Sequence, residues 1–165
     1  MYPHLKVIIT LRNPVDRMWS FARMSLFRHE KNKPEDLPAE RFYAYFDMRY
    51  KTTPSYWASL SQWKRHFPEE QIYVGFFDRL LESPASLLEE ICAFLDIDVG
   101  RMPEHVLNRL VARINPGVKF DIPQHFAAYL ARQYRPHVEE LCEIFRPYPQ
   151  QWLEECDQLL SRGTT

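Results

Sequence analysis

The stretch Lys6-Val7-Ile8-Ile9-Thr10-Leu11-Arg12-Asn13-Pro14-Val15-Asp16-Arg17-Met18-Trp19-Ser20 reads as a short buried strand, rich in branched apolar residues, that ends in an arginine and turns directly into a helix. Asn13 suits a cap that accepts a backbone N–H, and Pro14 suits the first helical position, where its missing donor costs nothing. Asp16 favours the positive end of that helix. The strand therefore delivers Arg12 to its C-terminal tip, where α/β sheets bind anionic ligands. In outline this is a phosphate site.

Outward from that stretch, 165 residues with 45% hydrophobic content are enough for one compact domain and too few for two, so residues 1–165 read as a single domain. A formal net charge of -1 argues against a general polyanion binder, hence against nucleic acid as a partner. The charge is uneven. From Met1 to Glu35 the bases Lys6, Arg12, Arg17, Arg23, Arg28, Lys31 and Lys33 face only Asp16, Glu30 and Glu35, whereas from Glu69 to Asp98 Arg79 is the only base among eight acids. A locally basic strand-to-helix unit suits a compact anion. Cys92, Cys142 and Cys156 sit in apolar helical patterns and read as free thiols. Nothing resembles a signal peptide or the ~20 apolar residues of a spanning helix, so the chain reads as soluble and cytoplasmic. It opens almost directly on a core strand, which leaves an upstream targeting or anchoring segment open.

The helix from Pro14 is expected to run to about His29 with Met18, Phe21, Ala22, Ser25 and Leu26 inward, followed by a charged loop from Glu30 to Pro38. A second helix, Glu40 to about Tyr50, carries Phe42, Tyr43, Tyr45, Phe46 and Tyr50, which read as core and rim packing against a substrate-stacking alternative. A third starts at Ser55, with Tyr56, Leu60, Trp63 and Phe67 at helical spacing, and ends at Phe67-Pro68. Residues Gln71 to Phe76 form the second strand, in which Gly75 suggests a kink or the close approach of another backbone. Strand, helices, strand is the order of a parallel pair with helical crossovers. A short acidic turn at Phe77-Asp78-Arg79 then leads to a helix capped by Ser83 and opened by Pro84, with Leu87, Leu88, Ile91, Phe94 and Leu95 on its apolar stripe. Beyond a punctuated segment with a short helix around His105 to Val111, helices are expected from Pro123 to Phe145, bending near Pro136, and from Gln150 to Leu160.

Six histidines lie scattered singly and no Cys-x-x-Cys pair is present, so no metal site is expected. Four glycines provide neither a Walker loop, a dinucleotide fingerprint nor a Gly-x-Ser-x-Gly turn. What remains is Arg12, a planar fork of donors that keeps its charge, and Ser20, whose hydroxyl can donate to a phosphate oxygen. The residues alone leave a second reading open, in which Arg12 pairs with Asp16 or Asp78 and Ser20 merely packs.

Leu11-Arg12-Asn13-Pro14-Val15-Asp16-Arg17 followed by Ser20 resembles the 3′-phosphate-binding motif of the sulfotransferases that use 3′-phosphoadenosine 5′-phosphosulfate. The likeness continues in the family's order through Tyr56-x-x-x-Leu60-x-x-Trp63 with Phe67-Pro68, through Gln71 to Leu80 with Ser83-Pro84, and through Phe94-Leu95-Asp96-Ile97, where Asp96 stands in place of the usual glycine. Ile114-Asn115-Pro116, Ile122-Pro123, Tyr134-Arg135-Pro136 and Leu141 are similar to the tail of bacterial and heparan-type members. The resemblance implies a partial P-loop-like three-layer α/β fold, with a short parallel sheet (strands near 6–11 and 71–76) covered by helices and a helical C-terminal tail. It also implies that Arg12 and Ser20 bind the 3′-phosphate of the nucleotide donor.

The family's opening strand, its glycine- and lysine-bearing loop for the 5′-phosphosulfate and its catalytic base have no counterpart in these residues, so no catalytic residue is assigned. The expectation is an N-terminally truncated piece or a natural short form, transferring little or no sulfuryl group while holding the 3′-phosphate end weakly. Tyr56, Trp57 and His66 are the candidate residues for the acceptor, a carbohydrate, lipid, peptide or small molecule with a hydroxyl or amine. Lys119 is a candidate for closing over the nucleotide. Two rivals stand beside this reading: a non-catalytic remnant that binds a partner or oligomerises through an exposed sheet edge, and another P-loop phosphoryl-transfer enzyme.

Overall fold

The computed structural model describes residues 4–27, 38–103 and 121–162. They form a mixed α/β structure, mostly helical, with one two-stranded parallel sheet. The chain divides into two compact units. Among the described residues the first holds 4–12 and 60–103, and the second 13–27, 38–59 and 121–162. The long helix expected from Pro14 ends its α-helical part at Ala22, and its expected last residues, the loop that follows and the helix around His105 lie outside the described residues, wholly or in most of their length.

In the first unit β1 (Val7–Leu11) pairs in parallel with β2 (Ile72–Phe76), Val7 opposite Ile72 and Leu11 opposite Phe76. β1 is less buried than its composition suggests. Leu11 is fully enclosed but Ile8 and Thr10 are exposed, because a strand's side chains alternate between faces and only one face of this pair is covered throughout. A helix, α4 (Phe77–Glu82), replaces the expected acidic turn, and α5 (Pro84–Leu95) follows; both pack against β2. Ser83 does not cap α5 with its side chain. Its hydroxyl pairs instead with that of Ser86, at 2.8 Å. At Gly75 an added Cβ would lie 3.0 Å from the Tyr73 ring and 3.6 Å from a Leu87 methyl, so the glycine makes room for side chains and not for another backbone.

α5 ends on Asp96 in the left-handed region, φ 60° and ψ 35°, with its N–H bonded to the Ala93 carbonyl and that of Ile97 to the Cys92 carbonyl. This is the backbone shape that glycine adopts without strain, which gives the physical reason for a glycine preference at this position. Asp96 holds it with a short polar side chain that receives the Lys6 ammonium, which also donates to the Phe94 carbonyl. Beside it the Tyr73 hydroxyl donates to Glu90 at 2.8 Å and Arg79 reaches the same carboxylate at 3.1 Å. Burial, then Glu90, pushes the Tyr73 phenol up to about 12, and the tyrosine hydrogen bond holds Glu90 below the usual carboxylate range.

In the second unit α1 (Pro14–Ala22) runs on into a π-helical turn at Arg23–Phe27. α2 (Ala39–Thr52), the first turn of α3 (Tyr56–His66), α6 (Gln124–Cys142) and α7 (Tyr148–Arg162) complete it. α6 continues through Pro136 as one element, with α7 packed along it. Arg135 ties the two, donating to Asp157 at 2.7 Å and to Glu139 on its own helix. The core joins Val15, Met18, Trp19, Ala22 and Leu26 to Phe42 and Phe46 of α2 and to Phe126, Leu130, Ala131 and Tyr134 of α6. Of the face expected on α1, Ser25 is the exception: it is exposed and its hydroxyl meets that of Tyr45 at 3.0 Å, while Trp19 takes the inward place. The aromatic residues of α2 are core and rim. Phe42 is fully enclosed, 4.4 Å from the Phe126 ring centroid and 6.0 Å from that of Trp19. On the rim the Tyr129 hydroxyl donates to Asp47, and burial pushes that phenol up to about 12. Cys92 and Cys156 are buried, Cys142 is half-buried, and all three are free thiols.

Phe42→Ala is expected to destabilise the protein by about 3–5 kcal/mol, since it empties the centre of the aromatic cluster, and urea unfolding would read the loss. By the same measurement Asp96→Ala should cost about 1 kcal/mol, because alanine keeps the Cβ at φ 60° but loses the polar side chain that tolerates this region and pairs with Lys6, while Asp96→Gly should stay within about 0.5 kcal/mol of the wild type. The phenols of Tyr73 and Tyr129 ionise later in the folded protein than the ordinary value of 10.0. Their stabilisation is thus complete below pH 10 and lost as pH rises toward about 12. Unfolding at about pH 11 should need less urea than at about pH 9.

Candidate functional site

Arg12 follows the last residue of β1, half-buried in the first unit, with its guanidinium over the Phe77 ring, 4.6 Å from the centroid. Parallel pairing with β2 fixes the strand tip, and the start of α4 brings the Phe77 ring under the arginine.

Ser20 belongs to the second unit. The local sequence sets its helix as expected: the Asn13 side-chain oxygen accepts the Val15 N–H at 2.9 Å, and its amide donates to Glu155 at 2.6 Å. Pro14 holds the first position, and Asp16 is exposed in the first turn. The Ser20 carbonyl accepts from the Arg23 N–H where the α-helix opens into the π-helical turn. Such turns occur often at functional sites. The Ser20 side chain is half-buried.

A shallow solvent-open cleft lies within the second unit, lined by Pro14, Arg17 and Met18 of α1, by Thr53, Pro54, Ser55 and Tyr56, and by Tyr134 and His137 of α6. Arg17 lies over the Tyr56 ring at 4.6 Å and the Phe21 ring at 5.6 Å. The Ser55 hydroxyl accepts the Ala58 N–H at 3.1 Å and so caps α3. His137 stacks on Tyr50 with ring centroids 5.2 Å apart, its Nε2 3.3 Å from the tyrosine hydroxyl. Tyr134 is 9% exposed, its hydroxyl has no hydrogen-bond partner among the described residues, and burial pushes the phenol up to about 12.

Of the acceptor candidates, Tyr56 lines this cleft. Trp57, the next residue on α3, is 40% exposed and does not line it. His66 is exposed in the last turn of α3, in the first unit, beside Lys64 and Arg65. Of the helical stripe containing Tyr56, only Leu60 is fully enclosed. Lys119 lies outside the described residues. Sequence reasoning missed Tyr134 and His137 as companions of Arg17. Their i, i+3 spacing on one helix face was a usable signal, but nothing in the sequence pairs that face with α1. No group of three or more metal-ligating side chains occurs among the described residues.

Among solved structures, the crystal structure of a sulfotransferase from Alicyclobacillus acidocaldarius is similar to this chain, with a TM-score of 0.55 and 23% sequence identity over 85% of this chain and 54% of that one. The chain thus spans about half the length of that protein, and the likeness speaks for the fold. The family model described as the sulfotransferase domain matches residues 1–115. That match contains both strands of the parallel pair, the Arg12-to-Ser20 motif and the left-handed end of α5, and the chain belongs to the sulfotransferase domain family.

Proposed function

We propose that this chain serves sulfuryl transfer from 3′-phosphoadenosine 5′-phosphosulfate to an acceptor hydroxyl or amine, and that Arg12 and Ser20 hold the 3′-phosphate of the donor. The observation that carries the reading is Arg12 itself: a half-buried guanidinium at the C-terminal tip of a parallel strand, lying over the Phe77 ring. A cation held there by stacking is pre-positioned for a phosphate oxygen. Ser20 adds a hydroxyl donor on the helix that the Asn13 cap begins. The donor supplies the sulfuryl group; these two residues bind and orient its nucleotide end.

Tyr56 and Trp57 offer an aromatic surface to the acceptor, a carbohydrate, lipid or small molecule, and His66 a polar one at the other end of α3. Residues 1–165 work as one domain in this reading. Among the described residues no helix is long and apolar enough to cross a membrane. A second reading, a partner-binding or oligomerisation module, is favoured by Leu5, just before β1, and Ile8 within it, exposed by 47% and 41%.

Adenosine 3′,5′-bisphosphate, the donor without its sulfuryl group, should raise the melting temperature. The gain approaches about 2.7 kcal/mol at a hundred times the dissociation constant, which is roughly 5–11 °C for a protein of this size. Arg12→Ala should abolish the rise and Arg12→Lys should reduce it, since lysine keeps the charge without the fork. Absence of any shift at millimolar ligand would sink the nucleotide reading and leave the module.

A further inference from the structure

The seam between α1 and α2 holds two cations that the nucleotide reading does not use. We infer that Arg17 and Arg49 together bind a small tetrahedral oxyanion, the sulfate or phosphate group of a ligand other than the nucleotide donor. Both guanidiniums lie over the Phe21 ring, Arg17 at 5.6 Å and Arg49 at 4.8 Å from its centroid, so two like charges from two helices meet on one ring within the second unit. One turn along both helices the Ser25 hydroxyl meets that of Tyr45 at 3.0 Å, which puts Arg17, Phe21 and Ser25 on the stripe of α1 that follows α2. Neither arginine has a carboxylate partner among the described residues. The acid closest to Arg49 in sequence, Asp47, is occupied by Tyr129 and Gln133.

Two guanidiniums gathered on one ring repel each other, and the ring offsets only part of that repulsion. An anion held by both turns it into two charge-assisted contacts. The donors are within reach of solvent. Of the two side chains only the Arg49 Nε is buried without a partner, so the other guanidinium nitrogens, which have no hydrogen bond among the described residues, stay accessible. Burial raises the Tyr134 phenol, and against it Arg17 and Arg49 both act to lower it, which places the two charges within electrostatic reach of one group on α6. Charge and shape then select the ligand. A carboxylate satisfies one fork with its two coplanar oxygens and leaves the second cation bare, whereas a sulfate or phosphate presents oxygens in several directions, as donors arriving from two helices require. The neighbouring side chains, Tyr56 at 4.6 Å from Arg17 and Thr53 in the shallow cleft, add no negative charge. Arg12 and Ser20 take no part, so binding needs no nucleotide.

Sodium sulfate titrated into the full chain labelled with 15N-arginine, at constant ionic strength made up with chloride, tests the assignment through the Nε–Hε signals of Arg17 and Arg49. Saturable shifts of both signals with one common dissociation constant in the millimolar range are the expected result, with acetate at least tenfold weaker. Arg17→Gln should weaken sulfate at the Arg49 signal at least tenfold, about the value of a hydrogen bond to a charged group, and Arg49→Gln should do the same at Arg17. No saturable shift in the wild type, an equal response to acetate, or an unchanged titration of either arginine when the other is replaced in a folded variant overturns the inference. The wild-type titrations decide it alone where a variant fails to fold. Adenosine 3′,5′-bisphosphate added to the sulfate-loaded protein should leave both signals in place, and displacement of sulfate would assign the pair to the nucleotide and overturn the inference. If the bisphosphate does not bind at all, the nucleotide reading fails and the sulfate titration still decides this one.

Discussion

The side-chain amide of Asn13 is the constraint on which the second unit depends. Among the described residues it is a rare buried polar group, 6% exposed, and its oxygen and nitrogen are both engaged, with the Val15 N–H and with Glu155 of α7. The first bond fixes where α1 begins. A start one residue earlier or later would rotate the helix by about a quarter turn, carrying Met18 and Trp19 out of the core and Arg17 out of its stack on Tyr56. The second bond joins that start to the last helix, so the same amide that ends the extended segment also sets the face α1 presents to α2 and α6.

From that register follows the division of labour along α1. Val15, Met18, Trp19 and Ala22 fill the aromatic core against Phe42 and Phe126, and this burial supplies most of what holds the helices together. Arg17, three residues before Ser20, stays at the rim because its stem lies on tyrosine and phenylalanine rings while its charge remains accessible. Polar groups thus stand at the edges of a core whose centre is almost wholly apolar. Tyr134 is the departure: its ring belongs to the core, and its buried hydroxyl has no hydrogen-bond partner among the described residues.

The first unit follows a simpler rule. A parallel pair needs a long crossover, and here the crossover carries α1, α2 and α3 between β1 and β2. Register then places Leu11 opposite Phe76, so Arg12 and Phe77 come one step beyond the ends of the paired strands and meet as cation and ring. The covering helix α5 is closed by Asp96 in a backbone region that most residues avoid, held by Lys6 from the start of the chain.

Much of this was legible in the residues. The two strands, the Asn13 cap with its proline, the aromatic core helix and the free cysteines follow from hydrophobic period, capping chemistry and composition, all of which act over a few residues. Arg12 and Ser20 were singled out by the same local grammar and by the order of motifs around them. The helix at Phe77–Glu82 in place of a turn, the Ser83–Ser86 pair in place of a cap and the side-chain crowding at Gly75 were not legible, because each is decided by what packs on β2. The cleft was hidden for the same reason. Its residues come from α1, from the link before α3 and from α6, more than 120 positions apart at the widest. Short-range chemistry wrote the elements and the arginine at the strand tip, while the meeting of Arg17 with Tyr56 and Tyr134 exists only because the core brings their helices together.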